Sequence, residues 1–265
     1  LPLSHSYEHT AGLHFPISIG AEVYYAESAD KLAANMGEIH PTIMTAVPRL
    51  YESMHQRIMA GVERKGGLSE TLFRKAVTLG IKRYEAGAAG LSIVEKLQDS
   101  ILEKLVRKKV AERFGGRLKA FVSGGAPLNY DIGVFFLALG VRLLQGYGQT
   151  ETAPVVSANP PSRIKIDTVG PALPGVDVRI ADDGEILIRG ELTMQGYWNA
   201  PELTAETLRD GWVHTGDIGI LDEDGYIKIT DRKKDIIVNS GGDNVSPQRV
   251  EGALVFEAEI NQAMV

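Results

Sequence analysis

Cysteine is absent from the 265 residues. That excludes disulfides and thiolate metal sites, and it suits a reducing compartment, so a cytoplasmic location is expected. No apolar run approaches the roughly 20 residues that a helix needs to span a bilayer. Positive charge is in deficit as well. The net charge of -6 argues against nonspecific nucleic-acid binding, because a polyanion would be repelled overall. Low-complexity tracts and internal repeats are missing. What is there is an ordinary globular composition, 44% hydrophobic and 23% charged. The length allows one large domain, or a domain and a piece of another.

The first 170 residues alternate apolar runs with helical patterns. Ala21 to Tyr25 reads as a strand, and Ser28 as the N-cap of the helix after it. Thr42 to Val47 is the next expected strand, with Pro48 suited to the first turn of a helix. Farther on, Ile93, Leu97, Ile101 and Leu105 form an apolar stripe that Leu102, Val106, Val110 and Phe114 widen. Glu103, Lys104, Arg107 and Lys108 take the opposite face. This pattern predicts a helix packed by its apolar stripe on a core, in preference to one lying on a membrane surface. Arg117 to Val122, a helix from Ile132 to Leu139 stopped by Gly140, and Val141 to Leu144 make a second strand–helix–strand unit. Strands separated by helices imply an α/β fold with a parallel sheet.

After residue 170 the period changes to two. Val176, Val178 and Ile180 alternate with polar residues up to Asp183-Gly184, and Ile186 and Ile188 alternate beyond it, which signals a hairpin. Ile218 to Leu221, the turn at Asp222 to Gly225, and Tyr226 to Ile229 repeat the signal. The chain is therefore divided into an α/β part (1–170), a β-rich part (171–230), a charged linker (231–235) and a short α/β tail (236–265). It begins Leu1-Pro2-Leu3 and ends in what reads as the start of a strand, so a fragment is expected.

Four clusters stand at or near predicted strand ends, where open α/β sheets bind ligands. Ser123-Gly124-Gly125-Ala126-Pro127 would let a ligand approach the backbone, or is a plain strand-to-helix turn. Gln145-Gly146-Tyr147-Gly148-Gln149-Thr150-Glu151 could stack a base, bond a phosphate and hold a hard cation, or is a capped loop with an exposed tyrosine. In His214-Thr215-Gly216-Asp217 the carboxylate could accept from two ribose hydroxyls, although an Asp in a turn is more often structural. Asp231-Arg232-Lys233-Lys234-Asp235, followed by Ser240 to Asn244, reads by itself as a solvated charged face.

In order and wording these clusters resemble the adenylate-forming, AMP-binding superfamily of acyl-CoA synthetases, peptide-synthetase adenylation domains and luciferases. The matching stretches are SGGAPL (123–128), QGYGQTE (145–151), GEILIRG (184–190), MQGYW (194–198), GWVHTGD (211–217), DGYIKITDRKKD (224–235) and SGGDNVSP (240–247). Independent motifs in one order multiply down the risk of chance agreement. LPLSHSYEHTAG at the start, TAVPRLYESM (45–54) and the long helical stretch between residues 50 and 115 resemble the long-chain acyl-CoA synthetase branch.

The resemblance implies an acetyl-CoA synthetase-like fold: parallel sheet layers with helices, an antiparallel β region, and the start of a small C-terminal domain. It implies ATP-dependent activation of a fatty acid to an acyl-adenylate, then thioester formation with coenzyme A. ATP or AMP and Mg2+ are the implied cofactors. The fatty acid and coenzyme A are the implied partners, with peripheral contact at the inner face of a membrane. By position, Gly124, Gly125 and Ala126 match the segment beside adenine and the acyl group, and Tyr147 and Gly148 the adenine-stacking turn. Thr150 matches the phosphate-binding hydroxyl, Glu151 the magnesium carboxylate, Asp217 the ribose acid and Arg232 a second ribose contact. Lys234 matches the hinge, and His5 a residue near the acyl and thiol channel. Asp243 stands where the pattern more often has Glu. Another ligase of the superfamily, for medium-chain or aryl acids or in a peptide synthetase, is the nearest alternative. A noncatalytic nucleotide- or acyl-binding module is the more distant one. The pattern's phosphate loop is expected before Leu1 and its carboxylate-binding lysine after Val265. The chain alone, given fatty acid, ATP, magnesium and coenzyme A, is therefore expected to form acyl-CoA far more slowly than an intact synthetase. Turnover near that of an intact enzyme would contradict this.

Overall fold

A computed structural model describes residues 2–86, 90–234, 237–238, 244–245, 247, 250–251, 254, 260 and 263–265. The chain divides into two compact units. One comprises Leu1–Gly146 and Pro160–Ile166, the other Tyr147–Asn159 and Asp167–Val265. No helix among the described residues is long and apolar enough to cross a membrane.

The first unit opens with π-helical turns over Glu8–His14 and a short helix α1 (Phe15–Ser18). Ala21 to Tyr25 is not the expected strand. It joins no ladder among the described residues, and Tyr24 and Tyr25 are exposed. An extended segment with no strand beside it and no covered face has nothing to hold it as a strand. Ser28 is not a cap either. Its Oγ accepts the Lys31 amide (3.3 Å), but helix α2 (Leu32–Ile39) starts only after Lys31.

Strand β1 (Ile43–Ala46) and helix α3 (Pro48–Lys65), with Pro48 in its first turn, follow as expected. After α4 (Gly67–Ala86), α5 (Ile93–Leu102), a π-helical stretch (Glu103–Arg107) and α6 (Lys108–Arg113) come β2 (Ala120–Ser123), α7 (Tyr130–Ala138) and β3 (Leu143–Tyr147). The three strands pair in parallel in the order β1-β2-β3, with Ala46 beside Ser123 and Ser123 beside Gln145. Their carboxyl ends therefore come level, which places Gly124 at the shared edge. Helices cover the sheet through an aromatic core in which Tyr51 meets Phe121 and Phe136, and Phe114 meets Phe121. Gly80 lets α4 approach α7 closely, since a Cβ there would lie 2.5 Å from the Ala138 backbone.

The stripe on α5 corrects the sequence reading. Ile93 (87% exposed), Val94, Leu97, Ile101 and Leu105 face outward, while Leu102 and Val106 are buried. Arg107, assigned to the solvent face, is 2% exposed. Its guanidinium explains the reversal. It donates to the carbonyls of Ala138 (2.6 Å) and Ala76 (3.0 Å) and to Asp99 Oδ1 (2.6 Å), while Arg83 reaches Asp99 Oδ2 (2.9 Å). A buried guanidinium with its donors satisfied ties α4, α5 and α7 together and selects which helix face turns inward.

In the second unit the expected hairpins form. Strand β4 (Ser157–Ala158) is a short edge bridged to Ala172. Strands β5 (Val176–Ile180) and β6 (Glu185–Gly190) pair antiparallel through the turn at Gly184. Helix α8 (Pro201–Thr207) leads to β7 (Leu208–Arg209), β8 (Trp212–Leu221) and β9 (Ile227–Arg232), with β8 pairing β6, β7 and β9. Ile186, Ile188, Val213, Ile227 and Val156 make the core. Asp231 and Arg232, read as part of a linker, end strand β9 opposite Ile218 and Asp217. Backbone pairing holds them there without an apolar anchor. Beyond lie β10 (Ile237–Val238) and β11 (Asn244–Val245), an antiparallel pair.

Arg107→Ala would remove the side-chain donor to the Ala76 and Ala138 carbonyls and leave Asp99 to Arg83 alone. The expected loss is about 3 kcal/mol or more of unfolding free energy, read from urea denaturation beside Lys104→Ala as an exposed control. A loss under about 1 kcal/mol would contradict the role of the cluster.

Candidate active site

Strand β8 sets the site. Its burial alternates with period two, so Val213, Thr215, Asp217 and Gly219 are buried and the residues between them are not. The alternation that buries Val213 in the core also buries Asp217, at 7% exposure. A carboxylate this far from water must find donors. It finds three. Tyr147 Oη donates to Oδ2 at 2.6 Å, Gln149 Nε2 to Oδ2 at 2.7 Å, and Arg232 Nε to Oδ1 at 3.2 Å. Gln149 also donates to the Thr215 carbonyl at 2.9 Å.

These donors come from the end of β3, the loop after it and the end of β9. The strand registers deliver them: Asp217 lies opposite Arg232 in the β8–β9 ladder. Tyr147 is not the exposed side chain of a capped loop. It is half-buried and packs against the antiparallel core. Burial, then the adjacent Asp217 carboxylate, push its phenol well above the ordinary tyrosine range, so it stays a neutral donor. A carboxylate has about four acceptor positions. With three taken, Asp217 has acceptor capacity for a further hydroxyl.

The turn after Tyr147 is tightly constrained. A Cβ on Gly148 would fall 1.5 Å from the Pro154 carbonyl oxygen, so no other residue fits. Thr150 and Glu151 lie in a 3-10 turn, Thr150–Thr152. Glu151 is half-buried, and its Oε1 accepts from Tyr197 Oη at 2.8 Å. Its carbonyl accepts the Met194 amide at 2.8 Å. Tyr197 is fixed in turn by Thr204, whose Oγ1 accepts the Tyr197 amide at 2.9 Å. Burial, then Glu151, raise the Tyr197 phenol.

The structure thus gathers Tyr147, Gly148, Thr150, Glu151, Asp217 and Arg232 in the second unit. Lys234 also belongs to the second unit, while Gly124, Gly125, Ala126 and His5 belong to the first. Gly124 follows β2, and the Tyr7 ring lies against it, 3.4 Å from where a Cβ would sit. Tyr7 Oη donates to the Val122 carbonyl at 2.9 Å. Gly125 turns the chain with φ 82°, and Ala126 follows. His5 is exposed, and its Nδ1 accepts the Tyr7 amide at 3.2 Å. Lys234 is exposed in the turn after β9. Asp243, like Asp235 and Ser240 to Gly242, lies outside the described residues. Sequence reasoning gave no role to Gln149, Tyr197 or Glu185. All three stood inside motifs already singled out, so the motifs themselves were the available signal.

The model of the AMP-binding enzyme family matches residues 1–198 of this chain. The chain belongs to that family. The long-chain-fatty-acid–CoA ligase FadD15 of Mycobacterium bovis is 35% identical over 269 aligned residues, covering 100% of this chain and 44% of that protein. The peroxisomal long chain acyl-CoA synthetase 6 of Arabidopsis thaliana is 33% identical, covering 95% and 37%. Among solved structures, ATP-bound MatB from Rhodopseudomonas palustris matches with a TM-score of 0.69 at 25% identity, over 96% of this chain and 43% of that one. MenE from Bacillus subtilis, in complex with ATP and magnesium ion, shares the fold with a TM-score of 0.66 at 22% identity, over 96% and 45%. The chain spans less than half the length of these curated relatives.

No group of three or more His, Cys, Asp or Glu side chains that could hold a metal occurs among the described residues. Magnesium keeps several waters and is commonly held by one or two carboxylates plus substrate phosphates. Glu151, with one oxygen fixed by Tyr197, fits the protein half of such a site.

Tyr147→Phe removes one of three donors to a buried charge. Hydrogen bonds to charged groups contribute about 1.5–3 kcal/mol each, so unfolding free energy should fall by roughly that much in urea denaturation. An unchanged midpoint would show that the Tyr147–Asp217 bond is not formed in solution.

Proposed function

We propose that the chain carries the nucleotide-binding part of an ATP-dependent acid–thiol ligase whose acid is a long-chain fatty acid. The observation that carries this is the Asp217 carboxylate, buried, triply hydrogen-bonded and still able to accept from a ribose. The order of the motifs and the relatives named for long-chain fatty acids support the choice of acid.

The chemistry runs in two steps. A carboxylate oxygen of the fatty acid attacks the α-phosphorus of ATP and pyrophosphate leaves, giving an acyl-adenylate. The sulfur of coenzyme A, having lost its proton, then attacks the acyl carbon and AMP leaves. A free carboxylate is a poor acyl donor, and the mixed anhydride overcomes that. In such transfers the protein chiefly positions groups and neutralises charge. Asp217 and Arg232 hold the ribose, and the ring of Tyr147, fixed by its own hydroxyl, offers a face for adenine. Thr150 bonds a phosphate oxygen, and Glu151 would hold a magnesium ion, whose charge would offset that of the phosphates. Gly124, Gly125 and Ala126 line the adenine and acyl approach, His5 stands by the acyl and thiol channel, and Lys234 is the hinge between the two steps.

Pyrophosphate exchange on the full-length protein tests this, with palmitate, hexanoate and benzoate compared. Palmitate should give the highest kcat/KM. Glu151→Gln should cut exchange at least tenfold and shift the magnesium dependence upward, without lowering the urea midpoint. Exchange driven better by benzoate would overturn the choice of acid. A wild-type magnesium profile in the variant would overturn the role of Glu151.

A further inference from the structure

Glu185 opens strand β6 beside the stretch of β8 that carries Gly216 and Asp217, and its side chain is 8% exposed. Its Oε1 accepts the Gly216 amide at 2.8 Å. Its Oε2 accepts from His214 Nδ1 at 3.2 Å and from Lys233 Nζ at 3.3 Å. The same ammonium donates to Asp183 Oδ2 at 2.6 Å. Lys233 is held by its backbone too, for its amide donates to the Gly216 carbonyl at 2.8 Å. Both sides of Gly216 are thus occupied, one by Glu185 and the other by Lys233. Just before Lys233, Arg232 is tied to Asp217. Lys234, by contrast, is exposed and makes no described hydrogen bond or ion pair with the described residues.

We propose that Glu185, with Asp183, clamps Lys233 to strand β8 at Gly216 and so fixes the pivot of the hinge at Lys234. This rests on the ligase reading, in which Lys234 is the hinge. A hinge needs a rigid side as well as a mobile one. The ladder ends at the Asp217–Arg232 pair. Without the clamp, the freedom of the turn would run back to Arg232 and loosen a ribose contact each time the chain rotated. Glu185 is suited to the task because it is enclosed. Burial works against its charge, but the Gly216 amide, His214 and Lys233 outweigh this and hold its pKa below the ordinary glutamate value. An exposed lysine–carboxylate pair alone contributes little. Here the ammonium bridges two carboxylates, one of them enclosed, and the backbone bond of the same residue supplies the register.

The test has two arms. In the first, amide exchange of this chain is followed residue by residue in the wild type and in Glu185→Ala, Glu185→Gln and Lys233→Met. The Lys233 amide should be protected in the wild type at least tenfold beyond that of Lys234. Each variant should lower the protection of Lys233 and Gly216 at least threefold, while Val178 and Ile188 in the β5–β6 ladder stay as they were. The two milder variants serve if Glu185→Ala does not fold. In the second arm, on the full-length protein, Lys233→Met should slow thioester formation from acyl-adenylate at least threefold, with pyrophosphate exchange within twofold of wild type. Equal protection of Lys233 and Lys234, unchanged protection in the variants, or equal slowing of both half-reactions would overturn the clamp. Absence of pyrophosphate exchange in the wild type would instead sink the ligase reading.

Discussion

The second unit is organised around one constraint: a carboxylate buried in a β-strand must keep its charge solvated by the protein. Asp217 is buried because β8 alternates and Val213 and Thr215 on the same face belong inside. Once it is there, the surrounding elements must bring donors to it. The β3 end brings Tyr147, the next loop brings Gln149, and β9 brings Arg232. The same bonds that satisfy the charge hold three separate stretches of chain in one place. Structural need and ligand binding coincide, because a carboxylate oriented by fixed donors is also a preorganised acceptor for a hydroxyl.

A second layer surrounds this one. Glu185 receives the Gly216 amide beside Asp217, and Tyr197 holds one oxygen of Glu151. Neither side chain resembles a catalytic group by itself. Each orients a carboxylate or a peptide that faces the nucleotide in the ligase reading. A site displaced by an angstrom loses much of its effect, so such supports carry weight out of proportion to their distance from the chemistry.

The sequence was a good guide wherever a local rule governed. Both hairpins follow from two-residue alternation around Asp-Gly, and Pro48 and Gly140 mark helix ends through fixed or permissive φ. It was a poor guide where long-range partners decide. The α5 stripe is apolar by every local measure, yet Arg107 turns the other face inward through the carbonyls of Ala76 and Ala138. Ala21 to Tyr25 has strand-like residues but no neighbour to pair with. Of the site, the motif residues of the second unit were legible as a set, and Asp217 proved buried where a turn residue had been the plain alternative. Gln149, Tyr197 and Glu185 were not legible in role, because their partners lie 68, 46 and 31 residues away.

The central claim is that Asp217 receives a ribose, and the most direct measurement is hydroxyl discrimination. AMP, 2′-deoxy-AMP and 3′-deoxy-AMP would be titrated calorimetrically into the wild type and into Asp217→Asn. The account predicts that AMP binds the wild type at least about tenfold more tightly than one or both deoxy forms, one charged hydrogen bond being worth about that ratio. It predicts that the preference collapses in the variant. Equal affinity for all three nucleotides in the wild type, or a preference that survives in Asp217→Asn, would contradict it.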